Sequence, residues 1–206
     1  MDPRGGSKVR TSKLLSLMLR HRPEEFGLEL DKYGYGDVNE VLAAIQERVP
    51  GTEMEDVEDV VYDSEKQRFE IAEGRIRARY GHSFPIELGV DPTEPPEYLY
   101  KGVASSELDY VLSNGIRPFD RQFVHLSFDS EVAGRLVGPV GTVVRIEALR
   151  AHNAGVHFYD CGPTVLSAEV PSEYLAAEGP APSETRAPAE SESPAYGRRR
   201  RFGGRR

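Results

Sequence analysis

The chain contains one cysteine, Cys161, no tryptophan, and no apolar run longer than five residues. A single cysteine can form neither an internal disulfide nor a thiolate zinc site, which excludes a stapled secreted scaffold and a zinc finger and points to a reducing compartment. Runs this short cannot cross a bilayer, which takes roughly 20 apolar residues, and Met1 to Arg10 lacks the hydrophobic stretch of a secretory signal. The sequence therefore predicts a soluble, cytoplasmic protein with no membrane partner. No G-x-G-x-x-G follows a strand pattern and no G-K-[ST] occurs, so a glycine loop is not the main phosphate-holding device. Without H-E-x-x-H, paired His/Cys ligands or a G-x-S-x-G elbow, a metal or serine hydrolase is disfavoured and no metal site is expected.

Charge, by contrast, is plentiful and unevenly placed. Six of the 26 basic residues (Arg198, Arg199, Arg200, Arg201, Arg205 and Arg206) lie in the last nine positions, and removing those six charges takes the formal net charge from −8 to −14. So acidic a body repels nucleic acid globally, and a phosphate-bearing partner has to be met where arginines converge locally.

With 206 residues, 38% of them hydrophobic, the chain can form one large or two small domains of roughly 100 residues. The prolines of Leu88-Gly-Val-Asp-Pro-Thr-Glu-Pro-Pro-Glu97 favour extended backbone and mark a boundary, giving units over 8–90 and 96–175. From Ala176 the composition turns to Ala, Pro, Glu and Ser and then to arginine, so 176–206 is expected to be a disordered tail, its basic end a weak RNA contact or a solvated charge run.

In the first unit, Ser12 is expected to cap a helix that carries Leu14, Leu15, Met18 and Leu19 and stops before Pro23, leaving Arg20-His21-Arg22 in its last turn. Asp37-Val-Asn-Glu40 and Thr52-Glu-Met-Glu55 have the form of capping boxes. They open amphipathic helices with Val38, Val41, Leu42, Ile45 and Val49 on one face and Met54, Val57, Val60 and Val61 on the other. The period then changes to two: Phe69 and Ile71 alternate with Glu70 and Ala72, Glu73-Gly74 turns, and Arg75, Arg77 and Arg79 return on one face. Three helices and a hairpin follow the order of a winged-helix module. The three guanidinium forks, close to Gly81-His82-Ser83, make a donor set suited to a phosphate; the plainer reading is three solvent-facing charges offsetting an acidic surface. Arg20-His21 likewise has a plainer role, cations at the negative end of a helix.

The second unit reads as a mixed, mostly antiparallel α+β fold. Strands are expected at Tyr98–Tyr100, Phe123–Ser127, Thr142–Ile146, Val156–Phe158 and Val165–Val170, and helices from a Ser105 cap to Asn114, over Ser130–Val137 and over Ala148–Asn153. His125 is either a ligand-facing strand residue or a histidine hydrogen-bonded inside the sheet.

Several segments together resemble the NAD-dependent RNA 2′-phosphotransferases. They are Leu14-Leu-Ser-Leu-Met-Leu-Arg-His21 with Pro23, Gly27-Leu28 and Leu30-Asp31; Arg75-Ile-Arg-Ala78 with Gly81-His-Ser83; Leu99-Tyr100 with Gly102; and Arg121-Gln-Phe-Val-His-Leu-Ser127. The resemblance spans Ser12 to about Leu175. It implies a winged-helix RNA lobe joined to an ADP-ribosyltransferase-like NAD lobe, with the site between them, and NAD as co-substrate without a metal. The chemistry it implies is attack of an internal RNA 2′-phosphate on the nicotinamide ribose, releasing nicotinamide, then attack of the ADP-ribose 2″-hydroxyl on that phosphate. The products would be 2′-hydroxyl RNA and ADP-ribose 1″,2″-cyclic phosphate. By resemblance Arg20, His21, Arg77 and Arg121 are catalytic, His21 moving a proton and the arginines stabilising charge. His82 and Ser83 hold the RNA phosphate, and Lys101, Gly102, His125, Ser127 and Val165 face the cofactor. A tRNA-like RNA is the implied partner, and a monomer the implied state.

The chain departs from the family pattern on the cofactor side. Leu99-Tyr-Lys-Gly-Val103 puts Lys101 where the family has a histidine, Val137-Gly-Pro-Val-Gly141 lacks an arginine, and Cys161-Gly-Pro-Thr-Val-Leu166 replaces a tryptophan-bearing segment. Lysine has no acceptor and cannot copy an imidazole's hydrogen bonds. These changes leave two alternatives in view: a non-catalytic RNA-binding relative, or a transferase that leaves ADP-ribose on a terminal nucleic-acid phosphate. A winged-helix DNA regulator would leave the second unit unexplained.

Overall fold

The computed structural model of the protein describes residues 3–63 and 67–180; the arginine-rich end expected to bind RNA lies outside them. Helix α1 (Pro3–Arg20) stops where Arg22, forced out of the helical region ahead of Pro23, turns the chain. Ser12 is inside this helix and does not cap it. A proline in the first helical turn loses no hydrogen bond, so α1 extends back to Pro3.

Strand β1 (Gly36–Asp37) leads into α2 (Val38–Arg48), which Asp37 caps by accepting from the backbone of Asn39 and Glu40. Helix α3 (Met54–Tyr62) begins one residue later than the expected cap. Thr52 is buried with its hydroxyl on the Val49 carbonyl, and Glu53 takes the cap position, its N–H donating to Asp56 at 2.9 Å. Strands β2 (Phe69–Ala72) and β3 (Arg75–Ala78) form the expected hairpin, and β1 pairs with β3 in a three-stranded antiparallel sheet. Leu15, Met18, Leu19, Val41, Ile45, Val57, Phe69 and Ile76 share one hydrophobic cluster, so helices and hairpin are one packed body.

The rest of the chain has its own cluster. Strand β4 (Leu99–Ala104) is longer than expected, and α4 (Leu108–Asn114) follows a short 3-10 turn at Ser105–Glu107. Ser105 is no cap: its hydroxyl donates to the Val140 carbonyl. Then come β5 (Val124–Leu126), α5 (Ser130–Val137) capped by Asp129, β6 (Gly141–Ile146), α6 (Ala148–Asn153), β7 (Tyr159–Asp160), β8 (Val165–Ser167) and β9 (Leu175–Pro180). Two antiparallel sheets result, β4-β6-β9 and β5-β8-β7. Leu99, Leu126, Val144, Ile146 and Phe158 are buried between them.

Two further expectations need correction. The strand placed at Val156–Phe158 lies at Tyr159–Asp160, because Val156 closes α6 through its N–H on the Ala151 carbonyl. Residues 176–180, assigned to the tail, pair with β6: Ile146 faces Leu175 and Arg145 faces Ala176, with a bulge at Glu178. Backbone pairing to a buried strand orders a stretch too poor in apolar side chains to order itself.

Candidate active site

The C-terminal turn of α1 leaves carbonyls without helical partners. That of Arg20 is taken by Ser83, which donates to it from its N–H at 2.9 Å and from its hydroxyl at 3.2 Å. His21 Nδ1 is 3.1 Å from the same Oγ. With the Ser83 hydroxyl donating to the Arg20 carbonyl, Oγ accepts from Nδ1–H in the tautomer that leaves a lone pair on His21 Nε2. Desolvation first, and then the charges of Arg20 and Arg121, hold His21 below its ordinary pKa. At neutral pH the ring is therefore an uncharged base.

Arg20 is 8% exposed. It lies over the Tyr80 ring at 4.9 Å and the Phe69 ring at 5.4 Å and donates to the Arg68 carbonyl at 3.4 Å. Among the described residues its Nε has no hydrogen-bond partner. Burial, opposed in part by Tyr80 and reinforced by Arg68 and Arg121, pushes its pKa down to about 10, so it remains charged. A buried cation surrounded by other cations and holding an unused donor is suited to an anion from outside the protein.

The two halves of the chain meet at the next residues. Gln122 donates its N–H to the His82 carbonyl at 2.9 Å, and its side-chain amide accepts from Ile86 N at 2.9 Å while donating to Ile86 O at 2.8 Å. This clamp fixes the backbone next to Arg121, one residue earlier, whose charge reaches Arg20 and His21 on one side and Lys101 and His125 on the other. His82 is buried, its Nε2 without a hydrogen-bond partner among the described residues, and burial followed by the charges of Arg20, Arg77 and His21 pushes it down to about 4. Arg121 is exposed, and among the described residues its one acidic partner is Asp120 at 4.0 Å.

The hairpin arginines share a face as expected but are already engaged. Arg75 pairs with Asp31 at 2.8 Å, and Arg79 donates to Gln67 at 3.0 Å. Arg77 is held by Glu70 through Nε at 2.6 Å, by the Tyr33 and Leu88 carbonyls through Nη1, and by the Tyr35 ring at 4.6 Å. Its charge reaches His82, and among the described residues its Nη2 has no hydrogen-bond partner. Arg77 therefore stands behind His82, apart from the Arg20, His21 and Ser83 contact.

On the other side of Arg121 opens a pocket of about 910 Å³ whose walls include Lys101, Gly102, Arg121, His125, Ser127 and Thr164. Strands β4 and β5 share one bridge, where Tyr100 and Ser127 exchange both backbone hydrogen bonds, and then part. By strand alternation the N–H and C=O of Gly102 point to the same edge as those of Tyr100, into the gap. A Cβ on Gly102 would lie 2.4 Å from the Ala133 carbonyl, so only glycine lets α5 pack there.

His125 faces this pocket. Burial, then Arg121, Lys101 and Arg20, push it down to about 3, and its buried Nε2 has no hydrogen-bond partner among the described residues. Lys101 is lowered by burial and then by Arg121, with Asp120 opposing. Val165 does not reach the pocket. It pairs with Leu126 and shares that residue's face in the core, whereas Thr164, on the face of His125, is in the wall. Composition and motif reading also missed Arg68, whose charge reaches both Arg20 and Tyr80, and the role of Gln122.

Among the described residues no group of three His, Cys, Asp or Glu could hold a metal ion, and no helix is long and apolar enough to cross a membrane. The sequence model of the family described as "RNA 2′-phosphotransferase, Tpt1 / KptA family" matches residues 6–167. A protein of Bacillus thuringiensis subsp. konkukian is 36% identical over 171 residues, covering 80% of this chain and 92% of that protein. One of Thermococcus kodakarensis is 38% identical over 165 residues, covering 79% and 92%. One of Agrobacterium fabrum is 39% identical over 182 residues, covering 84% and 96%. All three bear the name "Probable RNA 2′-phosphotransferase".

Proposed function

The chain belongs to the RNA 2′-phosphotransferase family, and on that premise we propose that it removes an internal 2′-phosphate from tRNA-like RNA, with NAD as co-substrate and no metal. The reading takes 8–90 as a winged-helix-like RNA lobe, 96–175 as an ADP-ribosyltransferase-like NAD lobe, and the protein as a cytoplasmic monomer. Two separate hydrophobic clusters support the division. One observation carries the assignment: Arg20, His21, Ser83 and Arg121, from three distant segments, converge beside a pocket large enough for a dinucleotide.

The donors present fit both substrates. Arg20 Nε and Arg121 would bind the doubly charged phosphate, with Arg77 Nη2 reaching from behind His82, and their charges would stabilise the negative charge that accumulates in transfer. Ser83, its N–H and hydroxyl both spent on the Arg20 carbonyl, would hold the phosphate only indirectly, by positioning Arg20 and His21, and the buried His82 would do so through its carbonyl on Gln122. On the cofactor side, the paired N–H and C=O of Gly102 match a carboxamide, His125 Nε2 and Ser127 line the adjoining wall, and Thr164 takes the place expected of Val165. Bound NAD would supply a ribose carbon open to attack by the RNA phosphate and a 2″-hydroxyl that then displaces the RNA. His21 Nε2, neutral and lone-paired, would accept that hydroxyl's proton and return it to the departing RNA 2′-oxygen.

Incubating the protein with an internally 2′-phosphorylated oligonucleotide and NAD is expected to yield 2′-hydroxyl RNA, nicotinamide and ADP-ribose 1″,2″-cyclic phosphate, identified by mass spectrometry. Absence of all three products would overturn the reading. An ADP-ribose adduct that persists on an oligonucleotide's terminal phosphate would assign transfer without release.

A further inference from the structure

A second cavity of about 650 Å³ runs between α1 and α3 and ends at Arg20 and His21; its described walls include Ser12, Lys13, Ser16 and Arg68. Ser12, Ser16 and Arg20 recur at four-residue spacing, so one face of α1 presents two hydroxyls in line with the phosphate-facing guanidinium. At the far end of the groove Lys8 bridges Asp59 of α3 at 2.7 Å and Asp63 just after it at 3.3 Å, which leaves one acidic charge in excess there. Nearer the site the balance reverses. Among the described residues neither Lys13 nor Arg68 has an acidic partner, and Arg68 is close enough to lower the pKa of Arg20. In an otherwise acidic chain, two uncompensated cations along a groove that opens onto an anion site make a track for a polyanion.

The direction of that track follows from the other cavity. Arg121 and His125 border the pocket assigned to the dinucleotide, whereas Arg20 and His21 border the groove. A phosphate held between these groups has the cofactor on one side and its own RNA strand on the other. We propose that the α1–α3 groove binds the RNA strand flanking the 2′-phosphorylated nucleotide, Lys13 and Arg68 contacting backbone phosphates and Ser12 and Ser16 the riboses. The proposal rests on the function assigned above and names where its substrate lies.

The test compares two substrates, an internally 2′-phosphorylated oligonucleotide and a single nucleotide carrying a 2′-phosphate, with parent protein and Lys13→Glu. The variant is expected to raise KM for the oligonucleotide at least tenfold while shifting KM for the mononucleotide no more than threefold. Arg68→Ala should lower the slope of log KM for the oligonucleotide against log salt by about 0.7, the value for one single-strand phosphate contact. Equal KM in variant and parent, a parallel change for both substrates, or a change confined to NAD would overturn the groove assignment. If the parent turns over neither substrate, the enzymatic reading fails separately. Fluorescence anisotropy with the same oligonucleotide then decides the groove, which requires weaker binding by Lys13→Glu at unchanged melting temperature.

Discussion

Replacing Gln122 by alanine tests whether the seam between the two halves sets the geometry of the site. The side-chain amide satisfies both backbone groups of Ile86, a residue only 9% exposed, at 2.9 and 2.8 Å. Truncation leaves that N–H and C=O without partners in a largely dry seam. Each unsatisfied group costs roughly 1–3 kcal/mol, and allowing for some water entry the pair should cost about 2–4 kcal/mol. For a body of this size that is a fall in melting temperature of roughly 5–15 °C. Activity should fall further than stability explains, because Arg121 precedes the clamp directly and a displacement of about 1 Å at a phosphate-binding group can cost on the order of 100-fold in rate. Gln122→Asn keeps the amide but is one methylene short, so it should behave like alanine. Thermal unfolding followed by circular dichroism and initial rates of RNA 2′-phosphate release measure the two effects. A Gln122→Ala protein that melts within 2 °C of the parent and retains its kcat/KM would refute the reasoning. A lowered melting temperature with unchanged kcat/KM would confine Gln122 to stability.

Four further outcomes are expected. Arg20→Lys should lose at least about 100-fold in kcat/KM for phosphate release, since an ammonium cannot lie between the Phe69 and Tyr80 rings and also present a fork to the phosphate; near-parent rates would refute the role. His82, held down at about 4 by burial, refuses a proton that the unfolded chain accepts at about 6.5, so stability is full above that pH and falls as pH drops through this window. Up to about 3 kcal/mol is at stake from His82, His125 acts in the same direction, and urea denaturation at pH 7, 6 and 5 should show a flatter profile for His82→Gln. Gly102→Ala should lower the melting temperature and abolish NAD binding, because its Cβ would lie 2.4 Å from the Ala133 carbonyl and 2.7 Å from Val137 Cβ; calorimetric titration with NAD checks it. Lys101→His removes a half-buried cation that Arg121 repels and supplies an imidazole acceptor, so the same titration should show tighter NAD binding, and weaker binding would count against the cofactor assignment.

Local structure was legible where one residue's chemistry decides it. Pro23 ends α1, Asp37 caps α2, and the period-two stretch around Glu73-Gly74 folds back as a hairpin. Legibility failed where a distant strand or helix made the decision. Residues 176–180 have no apolar pattern of their own, and their order comes from hydrogen bonds to β6. Ser12 looks like a cap because caps favour serine, yet nothing before it breaks the helix; its place in the groove wall depends on α3. The arginine pattern of the hairpin was correct in facing and incomplete in meaning. Alternation predicts a shared side but not that Asp31, Gln67 and Glu70 would already occupy it.

The case of Val165 shows why cofactor-side residues are harder to read than phosphate-side ones. Arg20 and His21 are placed by a helix terminus, where a shift of one residue still leaves a cation near the same spot. Val165 is placed by strand parity, where a shift of one residue exchanges pocket for core. Its parity is set by the pairing of Val124 with Ser167 and Leu126 with Val165, which leaves Thr164 and Leu166 on the face of His125. That register depends in turn on the turn at Cys161-Gly-Pro-Thr164, where Gly162 adopts a φ of +92° and donates to Asp160. This is the segment in which the chain departs from the family pattern, so matching by sequence is least able to fix the register where the register decides the contact. The hydroxyl of Thr164 in that wall is spent on the Leu126 carbonyl at 2.9 Å, so its proton is not offered to the pocket.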